Sequence, residues 1–151
     1  MQNEAITVKH LHGSEAIMAS LGLMRQLRPY LLDEAAYVRQ VERQQKSTGY
    51  ELVGAFNSVG QLLGLAGFVC SEMLSRGRYL YVDDLVIDEG HRSQGVGSAL
   101  LTWLEARAGD LECTSLHLDC SNHRSDAHRF YRREGLEDRS LHFVLELGTN
   151  R

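Results

Sequence analysis

The sequence predicts an α/β domain with a mixed β-sheet of about six or seven strands flanked by about four helices. Segments with apolar residues at helical spacing alternate with short apolar runs bounded by turn residues. Antiparallel hairpin signals come first, and a strand–helix–strand unit with parallel strands follows. Nothing in the 151 residues marks an internal boundary, so residues 1–151 are expected to form a single domain.

The first half of the chain predicts one strand, two helices and a hairpin. Residues 5–9 alternate as an edge strand does, and Ser14 is the expected N-cap of a helix that Pro29 ends or interrupts. The apolar stripe of this helix is Ile17, Leu21, Met24 and Leu27. Asp33 is expected to cap the second helix. Residues 50–56 and 62–71 are two strands joined by a turn at 57–60, the second apolar enough for a central strand.

The second half adds three strands and two helices. Residues 79–88 form a strand with an acidic centre, and a helical period begins at Gly95. The face of this helix consists of Val96, Ala99, Leu100, Trp103, Leu104 and Ala108. Residues 114–120 are a strand, 126–134 a helix closed by Gly135, and 141–147 the last strand.

Composition limits the class of protein. Hydrophobic residues make up 43% and charged residues 24%, as in soluble globular proteins. The net charge of -4 argues against a nucleic-acid partner and suits a cationic substrate. The three cysteines match neither a CxxC pair nor a disulfide framework, which favours reduced thiols in the cytoplasm. No signal peptide or bilayer-length apolar run is visible, so no membrane partner is expected.

The turn Arg92-Ser93-Gln94-Gly95-Val96-Gly97 is the strongest local signal. A glycine turn at a helix N-terminus presents backbone N–H groups and a positive dipole end to an anion, and Arg92 adds a full charge. A dinucleotide-binding fingerprint is excluded because Leu100 replaces its third glycine. A Walker A loop is excluded because Val96 stands where its lysine must be. A turn used only for chain reversal remained the alternative.

The residues around this turn resemble the GNAT superfamily, the acyl-CoA-dependent N-acetyltransferases. The pattern runs from the apolar triplet at 85–87 through Arg92 to Gly95 and Gly97. Downstream, residues 127–131 (AHRFY) and 134–136 (EGL) resemble the closing segment of the family. The resemblance covers about residues 50–147 and implies a GNAT-like fold. It also implies acetyl-CoA as cosubstrate, without a metal.

The resemblance further implies how the cosubstrate binds. The triplet at 85–87 pairs with the pantetheine arm, and a backbone N–H at Ile87 or its neighbour polarises the thioester carbonyl. An asparagine that many members carry seven residues before the family tyrosine is replaced here by Arg124, which could instead reach the phosphates of the cofactor or the substrate. The expected cofactor-binding residues are Leu85, Val86, Ile87, Arg92, Ser93, Gln94, Gly95, Val96, Gly97, Ser98, Asn122, Arg124 and Tyr131.

Three residues are expected to be catalytic. Less than about one part in a thousand of an alkylammonium is free base at neutral pH, so a carboxylate must remove its proton. Asp83 and Asp84 are the candidates, directly or through water, and their polar pair suits the β-bulge of the family. Tyr131 matches the family tyrosine that protonates the leaving thiolate. Direct attack through a tetrahedral intermediate is the implied mechanism.

The acceptor is expected to be a small primary amine. Polar and aromatic side chains expected to build its site are Arg25, Arg28, Tyr30, Tyr37, Arg39, Arg76 and Arg78. The alternatives are a protein amine as acceptor, a longer acyl group as the group transferred, and a CoA-binding sensor without turnover. The residues His117, Asp119, Cys120, His123 and His128 lack metal-site spacing, so no metal is expected. The sequence does not determine the oligomeric state, although a homodimer is common for such folds.

Overall fold

The computed structural model describes residues 5–148. This part of the chain holds five strands, four α-helices and one 3-10 turn at Glu89–His91. The elements are β1 (Thr7–His10), α1 (Gly13–Leu27), α2 (Glu34–Ser47), β2 (Glu51–Phe56), β3 (Leu62–Met73), β4 (Gly77–Ile87), α3 (Val96–Asp110), β5 (Ser115–Leu118) and α4 (Ser125–Arg133). Contacts group the chain into two compact units, one ending at Asp119 and one beginning at Cys120. That residues 1–151 form a single domain stays a prediction.

The strands form one mixed sheet in the order β1-β2-β3-β4-β5. Neighbours from β1 to β4 run antiparallel, and β4 pairs with β5 in parallel. The α/β class, the hairpin, the central position of β3 and the parallel crossover through α3 are therefore confirmed. Asn57 closes the β2–β3 hairpin, because its side-chain oxygen accepts the backbone N–H groups of Val59 at 3.2 Å and Gln61 at 2.8 Å.

The helices α1 and α2 cover one face of the sheet. Ile17 and Leu52 are almost completely buried, at 0% and 1% exposure. Tyr37 of α2 is buried as well, and its hydroxyl lies 2.7 Å from that of Ser20 on α1. This contact gives the buried polar groups partners where the two helices meet. The remaining members of this core are Leu11, Leu21, Leu23, Met24, Val38, Val41, Tyr50, Leu65 and Val86.

The helix α3 covers the opposite face. It packs so closely on β3 that a Cβ at Gly64 would lie 2.9 Å from Val96 and 3.0 Å from Leu100. Phe68 of β3 meets Trp103 of α3 edge to face, with ring centroids 5.9 Å apart. Strand side chains alternate between faces, so even-numbered residues in this part of β3 point to α3. A glycine at 64 lets the helix approach the strand backbone.

The start of α1 differs from the prediction, and the start of α2 does not. Gly13, at φ 83°, is the first residue of α1 and His12 is its N-cap, two residues before the predicted cap, so Ser14 lies within the first turn. The helix ends at Leu27, two residues before Pro29. Asp33 caps α2 by accepting the N–H of Ala36 at 3.0 Å. None of the helices in residues 5–148 is long and apolar enough to cross a membrane.

The predicted last strand is wrong. Residues 137–148 form no strand or helix, so the described sheet has five strands rather than six or seven. The side chains of Leu141, Phe143 and Leu145 are all exposed. An alternating apolar pattern becomes a strand only when a sheet edge pairs with its backbone, and no strand ladder includes these residues.

The unit that begins at Cys120 is built around α4. The helix ends as predicted at Gly135, whose φ of 95° a glycine adopts without strain. The N–H of Gly135 donates to the carbonyl of Arg132 at 3.1 Å, and that of Leu136 donates to the carbonyl of Tyr131 at 3.0 Å. These two bonds form a Schellman motif. The motif holds the backbone of Tyr131 in the last turn of the helix.

Candidate active site

The pairing between β4 and β5 stops halfway along β4. Its last pair is Val82 opposite Leu118. From Asp84 to Ile87, β4 pairs only with β3 among the described residues. The other edge of this stretch therefore presents peptide groups without a strand partner in that part of the chain. Such an edge accepts an extended ligand in the way a sheet accepts an added strand.

A β-bulge lies where this pairing stops. Phe68 of β3 is opposite Val82, and Gly67 is opposite Asp84, so Asp83 is an extra residue without a partner on β3. The bulge expected at Asp83-Asp84 is therefore present. A bulge bends its strand and redirects the neighbouring side chains. Here it separates two consecutive aspartates into two different environments.

Asp84 is held by two side chains from elsewhere in the sequence. The hydroxyl of Tyr50 donates to Asp84 Oδ2 at 2.7 Å. Arg28 donates to Asp84 Oδ1 through Nη2 at 3.0 Å and Nε at 3.2 Å, and its Nη2 also donates to the carbonyl of Asp83 at 2.9 Å. With 17% of its side chain exposed, Asp84 is a fixed, paired carboxylate. Both carboxylate oxygens are occupied by these donors.

Gly67 makes the Tyr50 contact possible. A Cβ at position 67 would lie 1.7 Å from the hydroxyl oxygen of Tyr50 and 2.4 Å from the ring carbon that carries it. Tyr50 is only 4% exposed, so it has little room to move aside. Burial and the charge of Asp84 raise the pKa of Tyr50 far above its usual range, so its hydroxyl remains a donor. Sequence analysis missed this role, although a glycine inside a central strand is a known signal of close approach.

Asp83 is exposed and differs chemically from its neighbour. Its pKa is raised to about 6, first by desolvation and then by repulsion from Asp84, while Arg28 acts in the opposite direction. A carboxyl of this kind is ionised at neutral pH and is a stronger base than an ordinary aspartate. Of the two candidate bases, Asp83 is therefore the accessible one.

The loop after β4 is tied to α1. The side chain of Gln26 donates to Asp88 Oδ1 at 2.8 Å and accepts the N–H of Glu89 at 2.9 Å. His91 Nδ1 lies 2.6 Å from Asp88 Oδ2. Hydrogen bonds from Gln26 and His91 lower the pKa of Asp88. This network fixes the segment that leads from β4 into the glycine turn.

The glycine turn places an uncapped helix end at the surface. Ser93 and Gly95 have φ values of 64° and 85°, and Gly95 is the N-cap of α3 without a side-chain cap. A Cβ at Gly95 would meet nothing within 4 Å. Residues 92–95 are exposed, whereas Val96 and Gly97 are buried and anchor the helix. Space therefore lies beside first-turn N–H groups that an anion can occupy.

Tyr81 and Asp119 form a further polar contact within the unit that ends at Asp119. The Tyr81 hydroxyl donates to Asp119 Oδ2 in a short hydrogen bond. Burial, this bond and the charges of Asp119 and Asp83 raise the pKa of Tyr81 above its usual range. The hydroxyl consequently remains protonated at neutral pH. Among the described residues, no group of three or more side chains is arranged to hold a metal ion.

The remaining predicted cofactor residues lie in the unit that begins at Cys120. Tyr131 is half-buried on α4, and burial together with the nearby Cys120 thiol raises its pKa, which Arg124 partly offsets. Asn122 and Arg124 are exposed. The backbone N–H of Arg124 donates to the carbonyl of Ser121 at 3.1 Å, so the turn before α4 is defined.

Several predicted acceptor-site residues have structural partners instead. Arg25 donates to the carbonyls of Leu31 and Leu32, at 2.7 and 3.0 Å, and so holds the connection between α1 and α2. Tyr37 is buried in the core. Arg78 donates to the carbonyl of Leu111 at 2.5 Å. Arg28 is the member of this set that reaches the β4 aspartates.

These features have a counterpart in a known family. The model of the Acetyltransferase (GNAT) family matches residues 21–136, which is most of the chain and includes the bulge, the glycine turn and α4. The fold and the match define a class of acyltransferases. The chain belongs to the GNAT acetyltransferase family and is an acetyl-CoA-dependent N-acetyltransferase.

Individual relatives agree with this assignment. An uncharacterized N-acetyltransferase, YhdJ of Bacillus subtilis (strain 168), is 29% identical over 126 residues, or 83% of this chain and 87% of that protein. An aminoalkylphosphonate N-acetyltransferase of Salmonella typhimurium (strain LT2) is 36% identical over 66 residues, or 44% of this chain and 43% of that protein. The aminoglycoside N-acetyltransferase AAC(6')-Iy, solved in complex with CoA, matches with a TM-score of 0.81 at 13% identity over 97% of both chains. At that identity the match shows the fold alone.

Proposed function

We propose that the protein transfers the acetyl group of acetyl-CoA to a small primary amine, with Asp83 as the general base. The observation that carries this proposal is the bulge in β4. It leaves an exposed carboxylate with a pKa of about 6 beside a strand edge that pairs with no strand among the described residues. Asp84 is bound by Tyr50 and Arg28, so its role is to hold the bulge.

A general base is needed because the acceptor amine is protonated at neutral pH. An alkylammonium near pKa 10 holds its proton at neutral pH, and nitrogen attacks only after losing it. Asp83 takes this proton, directly or through water. Its raised pKa makes the difference between its own pKa and that of the alkylammonium smaller, which favours the transfer. An ordinary exposed aspartate near pKa 3.9 would be a weaker base.

The residues of the glycine turn fit the pyrophosphate of the cosubstrate. The uncapped N-terminus of α3 offers N–H donors, Gly95 leaves open space, and Arg92 adds positive charge. The edge from Leu85 to Ile87 would pair with the pantetheine arm, and an N–H at Ile87 or its neighbour would polarise the thioester carbonyl. Acetyl-CoA supplies the activated acetyl group.

Tyr131 is proposed as the acid that protonates the leaving thiolate. Its raised pKa keeps the phenol protonated at neutral pH, as a proton donor requires. The Schellman motif that holds its backbone supports a fixed position within α4. Asn122 and Arg124 remain proposed cofactor contacts, although Arg124 stands where many members of the family carry an asparagine.

The acceptor class rests on charge and on the relatives. The exposed Asp83 and the net charge of -4 favour a cationic acceptor. The name of the aminoalkylphosphonate acetyltransferase describes a small amine as the acceptor of that protein. These observations together favour a small amine over a protein amine.

A panel of amines tests the proposal. Thiol release from acetyl-CoA is measured with aminoalkylphosphonates, aminoglycosides, amino sugars, polyamines, and peptides offering an N-terminal or lysine amine. We expect turnover with at least one small amine and none with the peptides, with slower turnover for propionyl- and succinyl-CoA. Turnover with peptides alone would contradict the acceptor class. CoA binding without turnover of any amine would favour a sensor.

A further inference from the structure

Two cysteines lie side by side away from the proposed site. The sulfurs of Cys70 and Cys113 are 3.4 Å apart, and both residues are half-buried. Cys70 belongs to β3 and is opposite Leu80 of β4. Cys113 lies in the connection between α3 and β5. The pair therefore spans β4, joining two segments that are 43 residues apart in sequence.

The backbone on both sides of this pair is fixed. The N–H of Cys113 donates to the carbonyl of Ala108 at 2.8 Å, and that of Thr114 donates to the carbonyl of Arg78 at 2.9 Å. Cys70 is held in the ladder between β3 and β4. The two sulfurs would have to close from 3.4 Å to the ~2.05 Å of a disulfide bond.

We propose that Cys70 and Cys113 form a reversible disulfide when a hydroperoxide is present, and that this bond ties β3 to the α3–β5 connection across β4. One sulfur attacks a peroxide oxygen, the O–O bond breaks, an alcohol or water leaves, and a sulfenic acid forms. The second sulfur then attacks the sulfenic sulfur, the S–S bond forms, the S–O bond breaks and water leaves. Two sulfurs lose one electron each, and the peroxide is reduced by two electrons.

The environment of Cys113 determines how fast its thiol reacts with a peroxide. Burial and the neighbouring Cys70 raise the pKa of Cys113 to about 11, and Arg78 opposes this shift. Since the thiolate is the reactive form, the raised pKa makes the reaction of Cys113 with a peroxide slow. The test accordingly uses long incubation with hydrogen peroxide. The inference is independent of acetyl transfer.

The wild-type protein provides a direct readout. It has three thiols, and oxidation is expected to leave one, with a mass loss of two hydrogens and a peptide joining positions 70 and 113. Dithiothreitol should restore all three. A bond involving Cys120, an intermolecular bond, or addition of oxygen without an S–S bond would overturn the proposal. This measurement needs no variant, so it does not depend on how a substituted chain folds.

Variants separate the pair from the third cysteine. Cys120→Ser should still lose two hydrogens and all its free thiols, whereas Cys70→Ser and Cys113→Ser should form no internal disulfide. The closed bond should raise the melting temperature by about 5–10 °C, because it restricts the unfolded chain over a long loop. The same rise in oxidised Cys70→Ser would contradict the assignment.

Discussion

At the scale of single residues, two consecutive aspartates have different chemistry. Asp84 accepts hydrogen bonds from Tyr50 and Arg28, and Asp83 is the exposed extra residue of the bulge. The charge of Asp84 contributes to the raised pKa of Asp83. Asp84 thus has two roles: its hydrogen bonds fix the strand at the bulge, and its charge raises the pKa of Asp83.

Substitution of each aspartate should give a different pH profile. For the wild type, kcat/KM should rise with pH through an inflection near 6, because Asp83 accepts a proton only when ionised. Asp83→Asn should lower kcat/KM by about 100-fold or more and remove this inflection. Asp84→Asn should move it to lower pH, since a like charge is gone. An inflection near 6 in Asp83→Asn would rule it out as the base.

Removing one oxygen atom from Tyr131 tests its role as proton donor separately from cofactor binding. Tyr131→Phe removes the hydroxyl and keeps the ring, so kcat should fall by about 10- to 100-fold. The affinity for CoA, measured by calorimetry, should change little. Phe130→Leu on the neighbouring position serves as control, since it retains the Tyr131 hydroxyl. An undiminished kcat in Tyr131→Phe would remove it as the acid.

At the scale of elements, two glycines, Gly67 on β3 and Gly22 on α1, differ in how closely other side chains pack against them. Gly67 leaves room for the Tyr50 hydroxyl, whereas Gly22 on α1 faces open space. The same substitution should therefore have opposite effects at the two positions. One glycine is required by a contact, and the other only weakens its helix.

Urea unfolding tests this contrast. Gly67→Ala should lower the free energy of unfolding by about 2–3 kcal/mol, because the added methyl overlaps a buried ring. Gly22→Ala should raise it by about 0.5–1 kcal/mol through better helix propensity. Equal free energies of unfolding for Gly67→Ala and the wild type would show that Tyr50 moves without cost.

The N-terminus of α3 allows charge to be tested separately from fold. Gly95→Asp places a carboxylate at the N-terminus of α3, where its favourable interaction with the helix dipole is offset by the strain of a side chain at φ 85°, so the melting temperature should change little. The affinity for CoA should fall by about 100-fold through repulsion of the pyrophosphate. Gly95→Asn is the control: it has the same shape without charge and tolerates the positive φ.

Calorimetric measurement of CoA affinity distinguishes the effect of charge from the effect of side-chain bulk at position 95. We expect a much smaller loss of CoA affinity for Gly95→Asn than for Gly95→Asp. Equal losses in both variants would indicate a steric effect of the side chain. Unchanged affinity in Gly95→Asp would mean that the glycine turn does not hold the pyrophosphate.

At the scale of the whole molecule, the proton on Asp83 links stability to pH. Its pKa is 3.8 unperturbed and about 6 in the folded chain, so the folded state binds more protons between these values. This contribution to stability is fully present below about pH 4 and is lost as pH rises through 6. Asp83→Asn cannot ionise, so its gain in melting temperature over the wild type should be larger at pH 8 than at pH 5. A gain independent of pH would contradict the link.

Much of the fold was predictable because its signals are local. Asp33 caps α2 within one turn, Gly135 ends α4 within one turn, and the period of α3 lies within a single segment. The glycine turn also consists of adjacent residues. Where a signal needed a distant partner, prediction failed: the apolar pattern at 141–147 has no strand ladder. The prediction for Ser14 failed because the turn at Gly13 brings the chain into the helix two residues early.

The sequence by itself determined the family, the order of the elements as far as α4 and the turn at residues 92–97, because short-range geometry encodes each of them. Only the tertiary structure decided which aspartate is exposed. Tyr50 and Arg28 reach Asp84 from 34 and 56 residues away, across a gap that only folding closes. The same holds for Cys70 and Cys113, 43 residues apart in the chain and in contact in the fold.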